Sequence, residues 1–264
     1  MARRLLLPTT MAKLFVLIVA ASGCAFAPMA QDAQADAQPS GVTGDASGTP
    51  TPATCHVNDT SLRLCLDFED SSLDPTVIDR SSYNHDGASQ LVTAVPRNTQ
   101  QAALFASTST MHVAETPDLD IPDHVTVELW AEVFDPTERP WVFDNDGQYS
   151  LAIDHDKLFC YANGFYANTS VSLGVSTWHH LACTYGDGKL IAFVDGKQAG
   201  CTQASGSIDP NANRSGSDIG YALVGGVDDV HVYARSLADQ EIATLAGTTA
   251  GPAVTCYEPN NSGG

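Results

Sequence analysis

An all-β sandwich with one short C-terminal helix is the fold this sequence predicts, and three observations predict it. Apolar and polar residues alternate with period two in separate runs, among them Leu62–Phe68, Val125–Val133 and Val227–Tyr233, as strands with one buried face do. Turn residues separate the runs about every ten positions, with Gly186-Asp187-Gly188 and Asp195-Gly196 the strongest hairpin signals. Only one helical pattern is convincing, and it begins at Ser236. Many short strands, frequent turns and one late helix make a sandwich rather than an α/β or helical fold.

Taken from the N-terminus, the chain starts with Arg3, Arg4 and Lys13, followed by the apolar run Leu14–Ala21, too short to span a bilayer. The run ends in Ala21-Ser22-Gly23-Cys24, which resembles a bacterial lipobox. That resemblance implies a lipoprotein signal peptide over residues 1–23 and lipidation of Cys24. The alternative, cleavage after Ala27, puts Pro28 directly behind the cut and yields a secreted protein. Both readings place the chain outside the cytoplasm, the first in the cell envelope on a lipid anchor.

The full chain has 12 basic and 31 acidic residues, a formal charge of −19. Residues 1–23 hold three of the basic ones and no acidic one, so the remainder carries nine against 31, or −22. Such a chain is repelled by nucleic acid and by anionic membrane surfaces. Nucleic-acid binding is therefore excluded, and membrane contact is expected only through the anchor.

Residues 24–54 are dominated by Gln, Asp, Ala, Gly, Pro and Thr and cannot bury enough surface to fold alone. They read as a flexible tether of roughly 30 Å root-mean-square reach. Besides Cys24 there are six cysteines. An even count in an exported chain implies three disulfides out of 15 possible pairings. Cys160 with Cys183 is the expected pair, since both fall in strand-like segments of the central region; Cys55, Cys65, Cys201 and Cys256 remain unassigned. No CxxC or Cys/His ligand spacing occurs, so no zinc site is expected.

The folded region runs over 55–247 as one domain. Leu62, Leu64, Leu66 and Phe68 define its first strand, and a polar turn region covers Asp79 to Gly87. Ala102–Ala106 and Met111–Val113 are short strands. In Val125–Val133 the residues Val125, Val127, Leu129, Ala131 and Val133 face one way, and Thr126, Glu128, Trp130 and Glu132 face the other. Trp141–Phe143, Tyr149–Ile153 and Lys157–Tyr161 follow, then a three-strand meander over Trp178–Cys201, then Val227–Tyr233. In the helix, Ser236 is the expected cap with Asp239 reaching back to it. Leu237, Ile242 and Leu245 form its apolar side, and Gly247 ends it. Residues 248–264 are a polar tail.

Five segments together resemble one known family: LRLCLDFED, DRSSYNHDG, VTVELWAEV, WHHLACTYGDGKLIAFVDGK and GGVDDVHVYARSLADQEIATL. Their order and spacing are similar to the laminin G-like jelly-roll domains of the concanavalin A-like lectin/glucanase superfamily, over about residues 57–247. The resemblance implies a two-sheet antiparallel jelly-roll sandwich with first and last strands side by side. It also implies binding of carbohydrate, protein or calcium, and a structural role for Asp228 or Asp229.

The chemistry legible in the residues favours binding over catalysis. Glu128 and Glu132, four residues apart on one strand, stand roughly 13 Å apart, beyond the carboxyl separations of glycoside hydrolysis. They read as solvent-face glutamates, so no catalytic residue is assigned. Asp144, Asn145 and Asp146, before Gly147, gather the hard oxygens calcium takes, and Asp154 with Asp156 or Asp79 with Asp86 would serve as easily, although such residues also make turns. Among the central aromatics, Tyr161 and Phe165 read as core. Trp141, Tyr149 and Tyr166, beside polar turns, are the expected ligand contacts. The leading expectation is a non-enzymatic cell-surface module recognising carbohydrate or protein, with calcium as the candidate cofactor. A structural or interaction domain of the envelope is the alternative, and a glycan hydrolase or lyase ranks last.

Overall fold

The computed structural model of the chain describes residue 55 and residues 58–136, 139–210 and 215–258. The expected signal peptide, Cys24 and the tether lie outside the described residues. No helix among the described residues is long and apolar enough to cross a membrane.

Sixteen strands and one helix make up the described unit. The first six strands are β1 (Leu62–Leu66), β2 (Thr76–Val77), β3 (Gly87–Gln90), β4 (Thr93–Arg97), β5 (Gln100–Phe105) and β6 (Thr110–Val113). The middle is β7 (Val125–Val133), β8 (Trp141–Asn145), β9 (Tyr149–Asp154), β10 (Lys157–Ala162) and β11 (Phe165–Asn168). The meander is β12 (His179–Gly186), β13 (Lys189–Val194) and β14 (Lys197–Gln203); β15 (Ser217–Tyr221), β16 (Gly225–Tyr233) and α1 (Asp239–Leu245) complete the order. Every strand pairing is antiparallel, and the strands form two sheets of eight. Sheet A runs β14-β13-β12-β7-β16-β5-β4, with β1 also paired to β16. Sheet B runs β11-β10-β9-β8-β15-β6-β3-β2. The first and last strands are neighbours, Leu64 opposite Val232 and Cys65 opposite His231.

The alternation seen in the sequence decides which face each residue takes. Val125, Val127, Leu129, Ala131 and Val133 of β7 join Leu151, Ile153, Leu158 and Cys160 of sheet B in the core between the sheets. A disulfide from Cys160 on β10 to Cys183 on β12 stitches the two sheets across that core. The other pairs are Cys55–Cys65 and Cys201–Cys256. A second, smaller apolar cluster lies on the outer side of sheet A, where Leu237 and Ile242 pack with Leu62, Phe193 and Tyr233.

Several sequence expectations are corrected. Ser236 does not cap the helix, because its hydroxyl donates to the Tyr185 carbonyl at 2.8 Å. The helix starts at Asp239 instead, and the Ala238 N–H donates to the Glu241 carboxylate at 2.8 Å, the half of a capping box that an alanine permits. β2, β3, β4, β11 and β15 have no clear signal in the sequence. They are two to five residues long and polar or mixed, so neighbouring strands rather than their own pattern give them partners.

A candidate ligand face on sheet B

The outer face of sheet B is built by strand alternation. In β10, Leu158, Cys160 and Ala162 turn to the core, so Phe159 and Tyr161 turn outward. In β11, Phe165 and Ala167 pack on the core, which leaves Tyr166 outside, 52 % exposed. Register then aligns these side chains across strands. Phe159 is opposite Ala152, Ala152 opposite Trp141, and Trp141 opposite Tyr221. A second row places Tyr166 opposite Tyr161, Tyr161 opposite Ser150, Ser150 opposite Asp144, and Asp144 opposite Asp218.

The two rows form one surface. Trp141 and Phe159 meet edge to face at 6.2 Å across the small Ala152. Tyr166 lies 5.3 Å from Phe159 and 5.2 Å from Tyr161. Tyr221, 62 % exposed, carries the row onto β15. From β10 to β15 the band crosses four strands, roughly 14 Å. Cavities of about 250 Å³ open at both margins, one lined by Asp154, Phe159 and Asn168, the other by Gln148, Tyr161 and Asn163.

Polar groups flank the aromatics. The Arg139 guanidinium sits 5.1 Å from the Phe159 ring centroid and pairs with Asp154. That hydrogen bond holds the Asp154 carboxyl below its ordinary range. Burial raises the Asp144 carboxyl, and the charges of Asp218 and Asp146 add to the effect. His112 Nδ1 meets Asp218 at 2.8 Å. The face thus offers ring surfaces beside fixed donors and acceptors, the combination that holds an amphipathic, hydroxylated molecule.

The outer side of sheet A is the opposite case. Glu128 is 1 % exposed, not on a solvent face. It accepts from His180 Nε2 at 2.7 Å and from His231 Nδ1. A bulge in β16 between Asp228 and His231, with Asp229 at φ +50°, lets both carboxylates reach Arg97. Glu128, His180, His231 and both aspartates are buried, so the cluster is closed to substrate. The Asp-Asp-Val-x-Val-Tyr segment is structural here, as expected, with Asp228 accepting the Asp229 N–H at 2.9 Å.

The Laminin_G_3 family, of the concanavalin A-like lectin/glucanases superfamily, matches residues 105–243, more than half of the chain. The chain belongs to that family. No curated protein matches it in sequence. Among solved structures, the binding domain of Paraclostridial Mosquitocidal Protein 1 is similar with a TM-score of 0.58 at 14 % identity, over 70 % of this chain and 52 % of that one. The botulinum neurotoxin serotype C1 binding domain gives 0.58 at 14 % identity, over 72 % and 52 %. This chain thus spans about half the length of those toxin domains. Domain 4 of AbnA, a GH43 extracellular arabinanase from Geobacillus stearothermophilus, in complex with arabinotriose, gives 0.57 at 14 % identity, over 70 % and 98 %. At these identities the likeness is one of fold.

Within this Laminin_G_3 domain the expected site residues separate. Trp141 and Tyr166 lie on the face. Tyr149 does not: it shares the inward side of β9 with Leu151 and Ile153, stacks on Phe143 at 6.1 Å, and its hydroxyl donates to the Leu119 carbonyl at 2.8 Å. A buried tyrosine with a satisfied hydroxyl is core, not ligand contact. Phe165 is core as expected, whereas Tyr161 stands on the face. Phe159 and Tyr221 also stand on the face: the period-two pattern of Lys157–Ala162 places Phe159 there, whereas nothing local marks β15 as a strand and so nothing in the sequence places Tyr221.

Asp144, Asn145 and Asp146 do not converge on one point. Asn145 points inward, donating to the Leu119 carbonyl at 3.0 Å and accepting from Ser217 Oγ at 2.7 Å. Asp146 accepts from the Ser215 N–H at 2.9 Å and from its hydroxyl at 2.6 Å. Asp144 accepts from Ser150 on the outer face. Positive φ at Asp146 (+55°) and Gly147 (+73°), with Gln148 N–H bonded to the Asn145 carbonyl at 2.8 Å, make this a tight hairpin turn of three residues between Asn145 and its partner Tyr149. Hairpin geometry by itself brings these residues together.

Proposed function

We propose that this domain is a non-enzymatic binding module that takes carbohydrate on the outer face of sheet B. The observation that carries the reading is the aromatic band Trp141–Phe159–Tyr166–Tyr161, continuous across three strands' side chains and flanked by Arg139 and Asp154. Sugar rings combine an apolar face with hydroxyl edges, and stacking on aromatics beside fixed polar groups suits both. The acidic character of the chain favours neutral or amino sugars over sulfated or sialylated ones. The AbnA domain, similar in fold and solved with arabinotriose, supports the same ligand class. Buried Glu128 supports the non-catalytic part of the reading.

The test is a glycan array probed with the wild-type chain and with Trp141→Ala/Tyr166→Ala, each with calcium and with chelator. Binding by the wild type that the double variant loses supports the proposal. Silence of the wild type in both conditions would sink it, and equal binding by both chains would move the site elsewhere. In this reading the module works in the cell envelope, anchored through Cys24. Intact mass of the membrane-extracted protein tests the anchor, with acyl chains absent in Cys24→Ala.

A further inference from the structure

Cross-strand register on the outer side of sheet A sets three groups in line: Cys65 is opposite His231, and His231 is opposite Glu128. Cys55 closes onto Cys65 with a Cα separation of 5.9 Å. The two sulfurs and a ring nitrogen of His231 all lie within 4.8 Å of one another. Glu128 engages Nδ1 of that ring, and Nε2, fully buried, has no hydrogen-bond partner. A carboxylate fixed on one imidazole nitrogen while the other is left unpaired is the arrangement that orients histidine metal ligands. His180, on the second Glu128 oxygen at 2.7 Å, holds that carboxylate in place.

We propose that Cys55, Cys65 and His231 form a binding site for a soft divalent cation of the zinc class, opened by reduction of the disulfide. A thiol reductant supplies two electrons and two protons: the Cys55–Cys65 bond breaks, the reductant leaves as its own disulfide, and two cysteine thiols remain. The cation then displaces both thiol protons to solvent and is held by two thiolates and Nε2, with water as fourth ligand. Zinc–sulfur and zinc–nitrogen bonds near 2.3 and 2.0–2.1 Å require ligand atoms about 3.5–3.8 Å apart, a spacing the two sulfurs take only after their bond is broken. Cys55 is half-buried, so reductant and ion have a way in, while Cys65 is fully buried. The metal replaces the covalent clasp between residue 55 and β1, keeping that junction closed when the disulfide is open. The linear sequence shows no metal spacing because His231 comes from the last strand.

The test uses the full chain, reduced with a water-soluble phosphine, freed of it anaerobically and titrated with Co2+. One cobalt per chain with thiolate-to-cobalt charge-transfer absorption, bleached by Zn2+, is expected. Cys55→Ser/Cys65→Ser should abolish the band, and His231→Gln should weaken binding at least tenfold and shift the d–d absorption. Zn2+ should raise the Tm of reduced wild type and leave the oxidised protein unchanged, a readout that does not depend on the variants folding. No thiolate band in the reduced wild type, whether or not it keeps its fold, overturns the proposal. The same band in Cys55→Ser/Cys65→Ser overturns it too, since other thiols then hold the ion.

Discussion

The guanidinium of Arg97 lies 2.6 Å from the Asp228 carboxylate, and both are buried. The Trp130 and Trp178 ring centroids stand 4.3 and 5.1 Å from the same guanidinium. One cation from β4 thus neutralises the bulged strand β16 and is covered by two indoles. Removing one partner of such a pair leaves an uncompensated buried charge, at about 3–5 kcal/mol. Arg97→Met should lower stability in denaturant titrations by that order. Arg97→Lys should recover only part, since an ammonium cannot reproduce the planar stacking on indole. Full recovery in the lysine variant would contradict this account.

Trp178 also packs on a glycine. A Cβ added to Gly226 would sit 2.6 Å from the Trp178 ring. Gly226→Ala is therefore expected to push the indole away from Arg97 and cost about 1–3 kcal/mol. An unchanged Tm with unchanged near-ultraviolet circular dichroism would show that the indole is not held there.

Stability should peak in mildly acidic solution. Burial alone would raise the Glu128 carboxyl, but the His231 charge and hydrogen bonds from His180 and His231 bring it down to about 2. Its contribution is complete above the ordinary 4.5 and is lost as pH falls toward 2. Burial works against the His231 cation, yet the charge of Glu128 and its hydrogen bond leave the group raised above 6.5. Its contribution is complete below 6.5 and is lost as pH climbs through the folded value. Burial and mutual repulsion raise Asp228, and burial with the Glu128 charge raises Asp229, so ionising them opposes folding as pH rises above 3.8. The calorimetric Tm of the oxidised protein should therefore be highest at about pH 4.5 and fall above it, first as the two aspartates ionise and then as His231 loses its proton. His231→Gln should flatten the alkaline limb. A wild-type Tm that climbs from pH 6 to about pH 8 would refute the assignment of charges.

The Cys160–Cys183 disulfide closes a 23-residue separation between the two sheets. Loss of a cross-link of this loop length costs about 2–4 kcal/mol. Cys160→Ser/Cys183→Ser should lower the denaturation midpoint accordingly, with the slope of the transition showing whether the unfolded state expands. The proposed ligand face lies on the other side of β10, so glycan binding by the folded double variant should be unchanged.

On the face itself, a single anchor should matter more than its neighbours. Truncating a central aromatic of a binding surface costs about 2 kcal/mol or more. Trp141→Ala should weaken glycan binding by more than tenfold, and Tyr221→Ala, at the end of the row, by less. Titration calorimetry on one array-identified glycan reads both, and an inverted order would displace the centre of the site.

Much of this protein is written in short-range pattern. The alternation in Leu62–Phe68, Val125–Val133 and Val227–Tyr233, and the turns at Asp187-Gly188 and Asp195-Gly196, declare a sandwich because side-chain period and turn chemistry are local properties. Alternation also leaves Phe159 and Tyr161 on one side of β10, yet whether that side is core or surface depends on what packs against it. Tyr149 and Tyr166 look alike in sequence, and only strand register sends one to the Leu119 carbonyl and the other to solvent. Glu128 reads as an exposed glutamate until residues 180 and 231 are brought to it across β12 and β16. Arg97 is far from Asp228 in the chain, as Cys65 is from His231, and no local rule links either pair. The sequence by itself determined the strands, the turns and the fold class. Tertiary structure alone decided which charges are buried together and which aromatics share a face, because both depend on register between strands distant in sequence.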